Sequence, residues 1–250
     1  MDRLDRLAEP GLDLLGRVDT LLGAGVPEGH PVWPLLRRMR ALPGDAVRTF
    51  LDVHPAPLAG AGHGVRQLVR GYDEVCAALA DQHAWSGPAA TAYGEVRATL
   101  QRHLDEGPDS LVGRLESTAG YADALADWVD RTRLSLARTL AEVLGSAEAV
   151  TVVVATGERA GQGTRDGRWA TGPAGGGSAR FDQPAGGAQA GALAAAEIAA
   201  RVLAVLSAAY DGAETLLRQW APSLAETPWR PRPAGGSGGP GGSGTTRVRW

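Results

Sequence analysis

Lysine and asparagine do not occur in this chain, and isoleucine occurs once, at Ile198. All 25 strongly basic side chains are therefore arginine. We read this as the codon usage of a GC-rich genome and not as chemistry. Aromatic residues are scarce, at 5%, and Ala, Leu and Val carry most of the apolar surface. With strand-type residues so sparse, the expectation is an all-α fold. The single cysteine, Cys76, excludes an intramolecular disulfide, so cysteine usage does not reveal a redox compartment. It lies inside an apolar helical stripe and reads as a buried structural thiol.

A basic surplus is also missing. The net charge is −3 and both signs are mixed along the chain, which excludes a nucleic-acid partner bound through a basic face. No long apolar run is free of charge. The most apolar stretch, Ala192 to Tyr210, contains Glu197 and Arg201 one helical turn apart, where they can pair. No stable membrane span is expected. Met1-Asp2-Arg3-Leu4-Asp5-Arg6 has no apolar core, so a Sec-type signal peptide is not expected.

Catalytic and ligand-binding patterns are absent too. His30, His54, His63, His83 and His103 never pair at three- or four-residue spacing. Neither C-x-x-C nor H-E-x-x-H occurs, so no metal site is expected. Gly60-Ala61-Gly62-His63-Gly64 and Gly161-Gln162-Gly163-Thr164 follow no strand and lack a phosphate-binding lysine, so no nucleotide cofactor is expected. There is no G-x-S-x-G elbow. Asp123, Asp127 and Asp130, with Arg114, Arg131 and Arg133 nearby, read as solvated charged helix faces. The chain shows no catalytic residue set, and the reading is of a protein that is not an enzyme.

What the sequence does contain is helical periodicity. Leu4, Leu7, Leu12, Leu15, Val18 and Leu22 mark a helix over 3–24, with Pro10-Gly11 breaking or starting it. A loop follows at 25–31. Residues 33–41 form a short amphipathic helix with Arg37, Arg38 and Arg40 interleaved, and 45–52 add one more helical piece. Together 1–60 read as an N-terminal helical extension. Over 61–146 two stripes flank Trp85-Ser86-Gly87-Pro88. Val65, Leu68, Val69, Tyr72, Val75 and Leu79 lie upstream, and Ala89, Ala92, Tyr93, Val96, Leu100 and Leu104 lie downstream. A tight corner between such helices gives an antiparallel hairpin. Gly87 tolerates φ > 0 there, and Pro88 suits the first turn of the second arm. Pro108 either kinks that arm or begins a fresh helix, whose stripe runs from Leu111 to Val143. Residues 147–189 read as a flexible Gly-rich loop, within which Val150 to Val154 is a frayed helical extension or a short strand. A C-terminal helix follows at 190–221, stopped by Pro222, and 222–250 reads as a disordered tail. The apolar stripes need one another to be buried, so the expectation is an elongated helical bundle with a Gly-rich loop and tail.

The corner Trp85-Ser86-Gly87 between two helices resembles the W-x-G signature of the ESAT-like family of type VII (ESX) secretion proteins. Tyr210-Asp211-Gly212-Ala213-Glu214 resembles the family's Y-x-x-x-D/E export signal. The resemblance covers about 62–146 and 190–220 but not the first sixty residues, and the insert at 147–189 separates the two motifs. It implies Trp85, Ser86 and Gly87 as the turn, and Tyr210 and Glu214 as a secretion signal. It implies a non-enzymatic protein acting through protein–protein contacts, either secreted by a Sec-independent route or cytoplasmic before export. The implied partners are a second copy or a small W-x-G protein, and the type VII secretion ATPase. The alternative is a cytosolic helical scaffold that is not exported. In larger relatives the two motifs come from two partner chains and meet at one end of a four-helix bundle. Here one chain carries both. They stay far apart unless the second arm reverses at Gly107-Pro108 or the loop carries the last helix back.

Overall fold

The structure, a computed structural model, describes residues 2–23, 25–80, 86–105, 107–166 and 185–225. Every regular element among them is an α-helix. They are α1 (Arg3–Leu22), α2 (Val32–Met39), α3 (Pro43–Leu51), α4 (Pro55–Ala80), α5 (Pro88–Asp105), α6 (Leu111–Leu144), α7 (Ala147–Asp166) and α8 (Ala185–Leu224).

Asp2 starts α1 with a reciprocal cap. Its carboxylate accepts from the Asp5 N–H at 2.9 Å, and the Asp5 carboxylate accepts from the Asp2 N–H at 2.9 Å. Two of the helix's orphan donors are thereby satisfied. Pro10 does not break α1, contrary to expectation, but lies inside it. Leu4, Gly11, Leu14, Leu15, Val18, Leu21 and Leu22 are buried on both sides of it. At about 1.5–3 kcal/mol per buried large aliphatic side chain, that face outweighs the roughly 3 kcal/mol cost of an interior proline. Gly11 also lets α6 approach: a Cβ there would lie 3.3 Å from Leu140 Cδ1.

The core is a single cluster drawn from both ends of the chain. Leu15, Val18, Leu21, Val47 and Phe50 from α1 and α3 meet Leu136, Leu140 and Val143 of α6, Val152 of α7, and Ile198, Val202, Leu203 and Leu206 of α8. The first fifty residues are therefore part of the core and not an appendage to it. Trp128 of α6 fits between α3 and α8. Its ring meets Phe50 edge-on at 6.0 Å, and its Nε1–H donates to the Ala209 carbonyl at 2.9 Å.

The chain turns by 64° between α6 and α7. Gly145 caps α6, and the Ser146 hydroxyl accepts from the Ala149 N–H at 3.2 Å to begin α7. The reading of 147–189 as a loop is corrected here: α7 is helical to Asp166, and α8 begins at Ala185. Val150 to Val154 is helix, held by burial of Ala149 and Val152 against α8. Residues 167–184 and 226–250, which include the Gly-rich tail, lie outside the described residues. Pro222 does not stop α8, which continues to Leu224.

α8 is long and apolar enough to cross a membrane by length and composition. In this fold Ala192, Ala195, Ile198, Ala199, Val202 and Leu206 on it are buried in the protein. Its small residues allow close contact: a Cβ on Gly191 would come within 2.6 Å of Ala155 Cβ on α7. Arg201 does not pair with Glu197 as its spacing allows. It reaches across to Glu148 of α7 at 3.3 Å.

α4 runs antiparallel along α6. Gly62 lies over Ala119 and Asp123, Arg66 pairs with Asp123, and Val69 shares a cleft with Val112. α4 and α5 bury little of each other. Val69 and Cys76 are buried on α4, whereas Leu68 is 58% exposed and Val75 49% exposed. No residue of α5 is buried. The reason is geometric: α5 meets α6 only near its own C-terminal end, at Asp105, and among the described residues no third helix covers the rest of it or the C-terminal part of α4.

Arg133 overturns its reading as part of a solvated face. Its side chain is only 2% exposed. Nε donates to Asp2 Oδ2 at 2.5 Å and Nη2 to Asp5 Oδ1 at 2.5 Å. Nη1 donates to the carbonyls of Leu51 at 3.0 Å and Val53 at 2.9 Å, with Phe50 at 3.5 Å. The guanidinium thus ties α6 to the N-terminal cap of α1 and the orphan carbonyls ending α3. The hydrogen bond from Arg133 holds the Asp2 carboxyl at about 2, below its ordinary 3.8. That contribution to stability is present above about pH 4 and is lost as pH falls toward 2. Arg133→Ala should lower unfolding free energy by about 3 kcal/mol, because removing one partner of a buried ion pair strands the rest. Urea denaturation followed by circular dichroism measures it, and a loss under about 1 kcal/mol would contradict the account.

Candidate functional site

Tyr210 and Glu214 lie one turn apart on the outer face of α8. Tyr210 is 55% exposed, and Glu214 is exposed and pairs with Arg218 of its own helix at 2.8 Å. The rest of this segment is held in place. Ala209 accepts the Trp128 indole N–H, Gly212 lies against the same indole, and Asp211 pairs with Arg38 of α2. The two side chains are thus presented from a fixed helix, and neither contributes to the core.

The described part of the other motif, Ser86 and Gly87, immediately precedes α5. Trp85 lies outside the described residues. Ser86 and Gly87 are exposed. Gly87 has φ +112°, a conformation that L side chains rarely adopt, and its carbonyl accepts from the Thr91 N–H at 3.1 Å. Pro88 is the first residue of α5, where its missing N–H costs nothing.

The fold keeps the two motifs apart. Asp73, Asp105, Val112 and Trp220 line one cleft of about 640 Å³, where α4, α5 and the start of α6 meet the Trp220 side chain. From Asp105, α5 leads back to Gly87 about 27 Å away at 1.5 Å per residue. From Val112, α6 leads about 24 Å on to Trp128, which is level with Tyr210 of α8. The cleft thus lies between Gly87, at the far end of α5, and Tyr210. Gly107-Pro108 interrupts the second arm without reversing it. α6 starts afresh behind the Ser110 hydroxyl, which accepts from the Gly113 N–H at 3.0 Å.

Other chemically distinctive groups are structural. Cys76 is buried, and burial pushes its thiol pKa up, which disfavours the reactive thiolate. Among the described residues no group of three or more His, Cys, Asp or Glu side chains is placed to hold a metal ion. Asp19 on α1 accepts from the Gly44 N–H at 3.2 Å at the start of α3. Burial dominates there and raises its carboxyl pKa to about 6 from 3.8.

The sequence reading missed the Arg133 cluster and the Asp19–Gly44 contact. A signal existed for the first: Arg133 falls on the stripe of Val129, Leu136 and Leu140, where a solvated arginine does not belong. No signal existed for the second, because it joins positions 25 residues apart through a loop. Comparison of the chain with protein-family models, curated proteins and solved structures gives no match.

Asp19 also sets a pH dependence. Between its unfolded value of 3.8 and its folded value of about 6, the folded state holds the extra proton. Its contribution to stability therefore falls as pH rises through that window. Asp19→Asn keeps an acceptor for Gly44 and removes the charge. The variant should melt higher than wild type at pH 7, with the difference shrinking toward pH 4. Melting curves across that range test this, and a constant difference would contradict it.

Proposed function

We propose that this chain is a non-enzymatic helical protein of the type VII secretion pathway, acting through protein–protein contacts. The observation that carries the reading is the display of Tyr210 and Glu214. They stand exposed on one face of α8, one turn apart, where a single recogniser reads both. Their segment is fixed by Trp128 and Arg38. Tyr210 and Glu214 are the export signal, and the secretion ATPase is its reader.

The α4–α5 pair supports the same reading. We interpret it as the family's W-x-G hairpin, with Trp85, Ser86 and Gly87 as its turn. Ala89, Ala92, Tyr93 and Val96 on α5 form an apolar stripe that is exposed to solvent. A second copy or a small W-x-G protein covers that stripe and completes a four-helix arrangement. Because Gly87 and Tyr210 lie apart within one chain, on either side of the cleft at the start of α6, the composite signal of turn and Y-x-x-x-E is assembled between chains. The protein is cytoplasmic before export and leaves by a Sec-independent route.

Tyr210→Ala and Glu214→Ala should each abolish export while leaving helicity and melting temperature unchanged, since exposed positions contribute little stability. Immunoblots of culture medium and cell pellet, with circular dichroism of the purified variants, measure both effects. Trp85→Ala should also impair export. Normal secretion of the Tyr210 and Glu214 variants, or absence of the wild-type protein from the medium, would instead favour a cytosolic helical scaffold.

A further inference from the structure

A second surface feature lies away from both motifs. Between α1 and α6 a groove of about 330 Å³ is lined by Arg3, Arg6, Leu7, Ala137, Arg138 and Ala141. Its floor is apolar. Ala137 is buried and Leu7 half-buried, and Ala141, one turn from Ala137, leaves a slot where a larger side chain would fill it. Arg3, Arg6 and Arg138 are exposed on its rim.

Among the described residues no carboxylate pairs with any of the three. The reason lies in the core. Asp2 and Asp5, their natural partners on the first turn of α1, are turned inward onto Arg133. Arg6 makes only a 3.4 Å contact from Nε to the Asp2 carbonyl. Glu9 and Glu142, at helical spacing from Arg6 and Arg138, are exposed and make no ion pair among the described residues. The buried network therefore leaves a cationic rim around an apolar slot.

We propose that this groove binds a free single-chain anionic amphiphile, with its carboxylate or phosphate head on the arginines and its alkyl chain over Leu7, Ala137 and Ala141. Planar guanidinium forks match both head groups bidentately. The volume falls at the low end of the roughly 300–1,000 Å³ of small-molecule pockets. That size accommodates one alkyl chain and not a partner helix.

Isothermal titration of the full chain with decyl phosphate, kept monomeric, tests the proposal. Saturable binding at one site is expected. Inorganic phosphate and the neutral amphiphile decanol should each bind at least about tenfold more weakly. The double variant Arg3→Gln, Arg138→Gln should lose about tenfold or more. Ala141→Leu, which fills the slot from an exposed position, should lose binding at unchanged melting temperature. Leu193→Ser, on α8, should bind as wild type. Absence of saturable binding, equal affinity for decanol, or unchanged affinity in the arginine variant would overturn the proposal. Capture by anionic vesicles without binding of free decyl phosphate would overturn it in favour of a membrane surface.

Discussion

A guanidinium removed from water costs several kcal/mol unless its N–H groups find acceptors. Arg133 meets that demand with groups that themselves need partners. The carboxylates of Asp2 and Asp5 already close the N-terminus of α1, and the carbonyls of Leu51 and Val53 lie at the end of α3. One side chain on α6 thus fixes where α1 begins and where α3 ends. The aliphatic core runs on from there, from Leu4 through Leu140 to Leu206. Apolar contacts between Ala- and Leu-rich helices are tolerant of sliding, and a directional ion cluster is not.

The same arrangement divides the molecule into two regions of different character. α1, α3, α6, α7 and α8 share one buried cluster with the shorter α2 against α8. α4 packs on α6 for part of its length, and its remainder and α5 carry apolar residues that the fold leaves in solvent. A helix with no buried residue gains little from tertiary packing, which is the main source of helix stability in proteins. This imbalance motivates our reading of the α4–α5 pair as the part that meets a helical partner. It also separates that role from the displayed face of α8, which is braced by Trp128 and Arg38.

Helix content was legible because the apolar spacing of Leu111 to Val143 and of Ala192 to Leu206 leaves no strand alternative. Boundaries were less so. Pro10 and Pro222 looked like breaks, and both lie inside helices; for Pro10 the reason is the burial on both sides of it, which local rules do not give. Val150 to Val154 was ambiguous since a short β-branched run fits either period. Its helical state follows from Ser146 capping it and α8 covering Val152. Of the candidate site, the exposure of Tyr210 and Glu214 was not legible, because both continue the four-residue row of Ile198, Val202 and Leu206 and are exposed only because burial along α8 ends at Ser207. The arginine-rimmed groove was not legible, because its two walls are 130 residues apart in the chain.

By itself the sequence determined the all-helical character, the positions where chain direction breaks at Gly87 and Gly107, and the face of each long helix that seeks burial. These follow from local stereochemistry and periodicity, which operate over a few residues. Tertiary structure alone decided which faces found partners. It placed the first fifty residues in the core, left α5 uncovered, held Gly87 and Tyr210 apart, and buried Arg133. Those outcomes depend on contacts such as Arg133 with Asp2 and Arg201 with Glu148. Their energies appear only once distant segments of chain have been brought together.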